Sequence, residues 1–186
     1  SFLKEIYSGE ITMACAEKGK EIASSIVECV QEDVSCIQAI TGLSHHDHYT
    51  YEHSIRVSSI TVAIAYKMGL RAEEELRDLA LGGIYHDIGK KSVPLSVINK
   101  SGALTQQEWQ QMRAHPERGA EEIEKSILSY VPREIILHHH EKRDGTGYPH
   151  ALGKNELIDE VQIATLADIF DALTSNRSYQ VSRSKY

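Results

Sequence analysis

Between Gly9 and Val30 the apolar residues Ile11, Cys15, Ile22, Ile26, Cys29 and Val30 recur at helical spacing, with Glu and Lys between them. That pattern predicts an amphipathic helix. Asp33 is placed to cap a short helix over 33–40. A break at Thr41-Gly42-Leu43-Ser44 and the polar run His45-His46-Asp47-His48 come next. Ile55, Ser59, Val62 and Tyr66 then share one face of a helix over 50–68, which Gly69 ends. Leu76, Leu79, Ala80 and Ile84 predict a further helix from Ala72, with Tyr85-His86-Asp87-Ile88-Gly89-Lys90 at its end.

The stretch 91–104, with Pro94 and Ser101-Gly102, reads as a loop. Thr105-Gln106-Gln107-Glu108 has the form of a capping box that opens a helix carrying Trp109 and Met112. His115-Pro116 ends that helix, since the residue before a proline is pushed out of helical geometry, and Pro116 suits the first turn of the next one, to about Ser126. Val131-Pro132 opens a short helix through Ile135, Ile136 and Leu137 into His138-His139-His140. The Gly- and Pro-containing stretch 141–160 reads as an irregular loop, and a last helix runs over 160–173. No strand alternation is convincing, so the expected class is all-α.

The hydrophobic share of 41% and charged share of 25% are those of an ordinary globular domain. No apolar run approaches the ~20 residues that cross a bilayer, and no signal segment is visible, so a cytoplasmic location without a membrane segment is expected. A net charge of −7 argues against a nucleic-acid polymer as partner. Cys15, Cys29 and Cys36 form no C-x-x-C pair and are expected to be reduced. Ser1 in place of Met points to a piece of a longer chain.

Ten histidines in 186 residues is a high count. Those and the acids that stand at the ends of apolar helices are His53, His86, Asp87, His115, two of His138–His140, and Asp168. Singly, each has a plain explanation: a hydrogen-bonded core histidine, a helix cap, a solvated turn. A carboxylate such as Asp168, amid Ile163, Ala164, Leu166, Ala167 and Ile169, needs a partner once buried. Seven nitrogen and oxygen donors exceed one four-coordinate zinc site and suit two ions with a shared carboxylate. With no thiolate among them, the donors suit iron, manganese or zinc. Two such ions form a device for phosphate ester hydrolysis.

The motifs His86-Asp87-Ile88-Gly89-Lys90, His115-Pro116-x-x-Gly119-Ala120, His139-His140-Glu141 and Asp144-Gly145-x-Gly147-Tyr148-Pro149, followed by Asp168-x-x-Asp171-Ala172-Leu173-Thr174-Ser175 and Arg177, resemble those of the HD-GYP family of cyclic dinucleotide phosphodiesterases. The resemblance implies an HD-superfamily helical bundle over 41–186, preceded by an N-terminal helical extension over 1–40 for packing, linkage or dimerisation. It implies hydrolysis of cyclic di-GMP to linear pGpG, by attack of a metal-bridging hydroxide, with a further cut to GMP left open. The ligands implied are His53, His86, Asp87, His115, His139, His140 and Asp168, with Asp87 as the bridge. His138 is left as a neighbour and Glu141 as a support for a ligand.

The same resemblance implies two divalent ions, iron or manganese first, with zinc, nickel and cobalt as alternatives. Lys90 is implied to meet the scissile phosphate, Arg177 to hold a substrate phosphate, and Gly147, Tyr148 and Pro149 to shape the pocket and to contact GGDEF-type diguanylate cyclases. Departures are informative. Tyr49 stands where some members carry a glutamate that helps hold a third metal, so two ions are expected. Gln180 replaces an often basic position, Arg143 replaces a frequent aromatic and could face a phosphate, and the chain stops before the family's usual closing helices. These departures keep two alternatives open: a catalytically weak or inactive module that binds a cyclic dinucleotide or a partner, and the same chemistry on 3′,3′-cyclic GMP-AMP. A homodimer through the N-terminal helices is a further expectation.

Overall fold

The computed structural model describes residues 13–37, 49–124 and 128–174. Arg177, Gln180, the His45-His46-Asp47-His48 run and the end of the expected 33–40 helix lie outside them. Within these residues the chain forms α1 (Met13–Glu32), α2 (Tyr49–Lys67), α3 (Glu73–Tyr85), a 3-10 turn (Ile88–Ser92), α4 (Leu95–Ile98), α5 (Gln106–Arg113), α6 (His115–Glu124), α7 (Tyr130–His138) and α8 (Asp159–Thr174). No strand occurs among the described residues; Asp144 and Gly153 make one isolated antiparallel bridge.

α2 and α3 form the centre. α2 is buried almost all round from His53 to Ala65, with α1, α3 and α8 packed about it. Three of its buried hydroxyls find carbonyls, which makes their burial tolerable: Ser58 Oγ donates to Ala80 O at 2.8 Å, Ser59 Oγ to Ile55 O at 2.8 Å and Thr61 Oγ1 to Val57 O at 2.7 Å. α3 opens on Glu73, Glu74 and Glu75, favourable charges at a helix N-terminus, and is buried at Leu76 and continuously from Leu79 to Tyr85. α1 contributes Ala23, Ile26, Val27 and Val30 to the same core as Leu76, Leu79 and Ile84 of α3 and Ile135 and Ile136 of α7.

Several local expectations meet their cause. The Thr105–Glu108 capping box is formed in both directions. Asp33 stands at the turn that leads into the helical residues Cys36 and Ile37, and its Oδ1 accepts from Ser35 N at 2.8 Å. The 91–104 loop is more ordered than its composition suggests, because the 3-10 turn and α4 fold within it. α5 ends at Arg113 with Ala114 as its C-cap, so His115 begins α6 instead of closing α5. One face of α8 stays exposed at Leu166, Ile169, Phe170 and Leu173.

Gly89 sets the distance between the 3-10 turn and α6. A Cβ there would lie 1.9 Å from His115 O and 2.6 Å from Gly119 N. Only glycine lets the segment after His86-Asp87 lie against the backbone of His115. Gly89→Ala is expected to cost roughly 1–3 kcal/mol through overpacking, read as a lower urea midpoint, and to move Asp87 away from His115.

Candidate metal centre

Five segments converge on one buried point. α2 presents His53 on its second turn, the end of α3 presents His86 and Asp87, and α8 presents Asp168. From the other side come His115 at the start of α6 and His139 and His140 at the end of α7. Two groups could each hold a metal ion: Asp87, His115, His139 and His140, and His53, His86 and Asp168. All seven sequence candidates fall into these two groups.

Asp87 lies between them. Its Oδ1 faces His115 Nε2 at 3.3 Å and His139 Nε2 at 3.7 Å. Its Oδ2 faces His86 Nε2 at 3.3 Å and His53 Nε2 at 3.8 Å. One carboxylate oxygen is thus turned to each group. Asp168 Oδ1 completes the second group, 3.2 Å from His53 Nε2 and 4.0 Å from His86 Nε2.

The tautomers decide whether these residues fit a cation. A carbonyl can only accept, so a ring nitrogen bonded to one carries the proton. His86 Nδ1 donates to Gly83 O at 2.8 Å, His115 Nδ1 to Met112 O at 2.8 Å and His139 Nδ1 to Ile136 O at 3.0 Å. In neutral rings all three Nε2 atoms are then lone pairs turned inward. His115 Nε2 and His139 Nε2 stand 3.2 Å apart, and His86 Nε2 is buried with no hydrogen-bond partner. Lone pairs so arranged are costly without a positive charge between them. Each ring also has the outer backbone partner usual for a metal-bound histidine. The donor set fits divalent cations.

The electrostatics agree. Burial opposes ionisation of Asp87, yet the Lys90 ammonium beside it holds its carboxyl well below the usual range. Lys90 Nζ lies 2.6 Å from Asp87 Oδ2. Burial pulls His115 down to about 4 and holds His140 well below the ordinary imidazole value; both rings are therefore neutral at pH 7. His53 differs. Burial pulls it down, but hydrogen bonds to Asp168 and Asp171 push it up to about 9. It stands protonated between two carboxylates and must release a proton to become a ligand.

Two residues of this site carry no role in the sequence reading. Asp171 Oδ2 accepts from His53 Nδ1 at 2.8 Å, and Asp171 Oδ1 accepts from Arg56 Nε at 2.6 Å. Arg56 and Asp171 are both buried. Asp171 orients His53 as a carboxylate behind a metal-bound histidine does, and Arg56 holds Asp171. A signal existed: Arg56 lies three residues after His53, and Asp171 three after Asp168, so both pairs share helix faces.

His138 turns away. Its Nδ1 meets Glu134 Oε2 at 3.2 Å and its Nε2 meets His150 Nδ1 at 3.2 Å. Glu141 is no ligand either; its carboxylate accepts from His150 N at 2.6 Å and Leu152 N at 3.0 Å, pinning the loop that follows. Gly147 is pressed onto that anchor, since a Cβ there would lie 2.4 Å from Glu141 Cα. The Tyr148–Pro149 peptide is cis, and the Tyr148 ring stacks on His140, centroids 4.7 Å apart. Arg143 is exposed on the loop, its carbonyl accepting from Lys154 N at 3.1 Å.

The chain is similar to known proteins in sequence and fold. The HD domain family profile covers residues 39–185. The cyclic di-GMP phosphodiesterase PA4108 of Pseudomonas aeruginosa is 34% identical over 163 residues, which are 85% of this chain and 39% of that protein. The 3′3′-cGAMP-specific phosphodiesterase 2 of Vibrio cholerae is 39% identical over 133 residues, 70% of this chain and 25% of that protein. The chain thus spans well under half the length of either relative. In fold it is similar to Bd1817, an HDG"Y"P protein from Bdellovibrio bacteriovorus, with a TM-score of 0.81 at 22% identity over 92% of this chain and 56% of that one. With its His86-Asp87 pair and Gly147-Tyr148-Pro149 loop, the chain belongs to the HD domain family.

Proposed function

We propose that this chain is a metal-dependent phosphodiesterase that hydrolyses cyclic di-GMP to linear pGpG. The observation that carries the reading is Asp87, one oxygen toward each of two histidine groups. His115, His139 and His140 with Asp87 would hold one ion, and His53, His86 and Asp168 with Asp87 the other. Bound there, two divalent ions, iron or manganese for these nitrogen and oxygen donors, would supply a water of lowered pKa and charge to offset that growing on the phosphorus oxygens. The protein's part is to hold the lone pairs in place through the backbone carbonyls of Gly83, Met112 and Ile136. Lys90, partly exposed beside Asp87, would meet the scissile phosphate and stabilise its developing charge.

Ion-loaded protein incubated with cyclic di-GMP is expected to release pGpG, followed by chromatography. A sample shown to hold two iron or manganese ions and giving no product would sink the reading, and binding without turnover would identify a non-catalytic module. The Vibrio relative named for 3′3′-cGAMP favours a second reading, the same chemistry on that dinucleotide. Parallel assays with both substrates decide by the ratio of kcat/KM. Lys90→Ala is expected to keep both ions and to slow turnover by about 10²–10³, the loss typical of one transition-state donor. Loss of metal in that variant equal to the loss in an Asp87 variant would show that Lys90 has another role.

A further inference from the structure

His115 and His139 have their rings fixed by backbone carbonyls. No described residue hydrogen-bonds the His140 ring, so its orientation must come from packing. It is packed against His139, at 4.1 Å between centroids, and against Tyr148, at 4.7 Å and an interplanar angle of 26°. Tyr148 is covered in turn. The Arg113 guanidinium lies over the Tyr148 ring, 4.6 Å from its centroid. The order is therefore His140, Tyr148, Arg113, with the tyrosine ring between a ligand candidate and a cation.

Arg113 is the last residue of α5, a helix with no fully buried side chain. Its neighbour Met112 supplies the carbonyl that accepts from His115 Nδ1. One turn of chain thus touches His115 directly and reaches His140 through Tyr148. The tyrosine is held at its other end as well: Tyr148 N donates to His140 O at 3.3 Å, and the Glu141 carboxylate grips His150 N and Leu152 N just beyond. A cation over the face of a tyrosine ring is attracted by the ring's negative quadrupole. Here it presses the ring onto the imidazole.

We propose that Arg113 is a positioning residue for the metal group of Asp87, His115, His139 and His140, acting through Tyr148 to fix the His140 ring. The inference rests on the two-ion reading above. Its consequence is local: loss of Arg113 loosens one ion site and leaves the site of His53, His86 and Asp168 as it was.

The test is a Co2+ titration of the ion-free chain, followed by visible absorption, which reports each site's coordination. The unaltered chain is expected to take up two ions. Arg113→Ala, a change at an exposed position, is expected to weaken one of the two binding events about 10-fold, the lower end of what an outer partner of a metal ligand contributes. Arg113→Lys, which keeps a cation over the ring, is expected to recover part of the loss, whereas Arg113→Gln recovers none. Tyr148→Phe keeps the ring and is expected to bind like the unaltered chain; Tyr148→Leu is expected to fall with Arg113→Ala. If the unaltered chain takes up fewer than two Co2+, the two-ion reading falls and this inference with it. If it takes up two and Arg113→Ala binds both unchanged, or Tyr148→Phe loses as much as Tyr148→Leu, this inference alone is overturned.

Discussion

Replacing Asp87 by alanine is expected to remove both ions and all turnover together, the largest functional effect of any single change in this chain. The reason lies in how its two oxygens are used. Oδ1 stands 3.3 Å from His115 Nε2 and Oδ2 3.3 Å from His86 Nε2, so neither group keeps a full donor set without it. The charge matters as much as the atoms. Asp87→Asn keeps the shape but supplies one carbonyl oxygen and an amide that cannot ligate, against lone pairs on His115 and His139 only 3.2 Å apart. Even outer partners of metal ligands are worth about 10- to 100-fold in affinity, so a shared ligand should lie at or beyond the upper end for both ions. Metal analysis of purified variants, with turnover measured on the same samples, checks this. Asp87→Asn protein that still held two ions would show that Asp87 is not the bridge.

Asp171→Ala is expected to give the largest loss of stability, about 3 kcal/mol, through an unpaired buried charge. The Arg56 guanidinium, 5% exposed, would lose the carboxylate that accepts its Nε at 2.6 Å and keep only Glu52, at 3.6 Å. The value sits at the low end of the usual range because that second partner remains. His53 would also lose the acceptor of its Nδ1 proton, so the affinity of the His53–His86–Asp168 group should fall by about 10- to 100-fold.

The two effects separate in the double variant Arg56→Met with Asp171→Leu. Apolar replacement of a buried pair recovers stability, whereas the ion affinity stays low because His53 still lacks the Asp171 carboxylate. Urea denaturation of ion-free protein and Co2+ titration read the two quantities independently. An equal recovery of both would contradict the positioning role. Acid gives a third check. Burial works against ionisation of Asp171, but His53 and Arg56 hold its pKa below 3.8. Its contribution is therefore complete above that ordinary value and fades as the pH falls through the lower folded value.

Much of the fold is legible because it depends on neighbours in the chain. The helical class, the capping box at Thr105 and the arrival of His86-Asp87 at the end of α3 follow from spacings of three and four and from local hydrogen-bonding chemistry. The 3-10 turn at Ile88–Ser92 is not legible in this way. It folds because Gly89 can lie against His115 O, a partner set by tertiary packing. The choice among His138, His139 and His140 is intermediate. Each step along a helix end turns the side chain by about 100°, which sends His138 toward Glu134 one turn back and away from the site.

The sequence by itself determined that seven nitrogen and oxygen donors stand at the ends of apolar helices, where leaving them unpartnered would be costly. Only the tertiary structure decided how they divide. The turning of each Asp87 oxygen to a separate group, the grip of Arg56 and Asp171 on His53, and the cover of Arg113 and Tyr148 over His140 all join segments distant in sequence, Arg56 and Asp171 by 115 residues. No periodicity encodes such contacts, because they depend on the rotation and separation at which whole helices pack, and the packed core sets those as a unit.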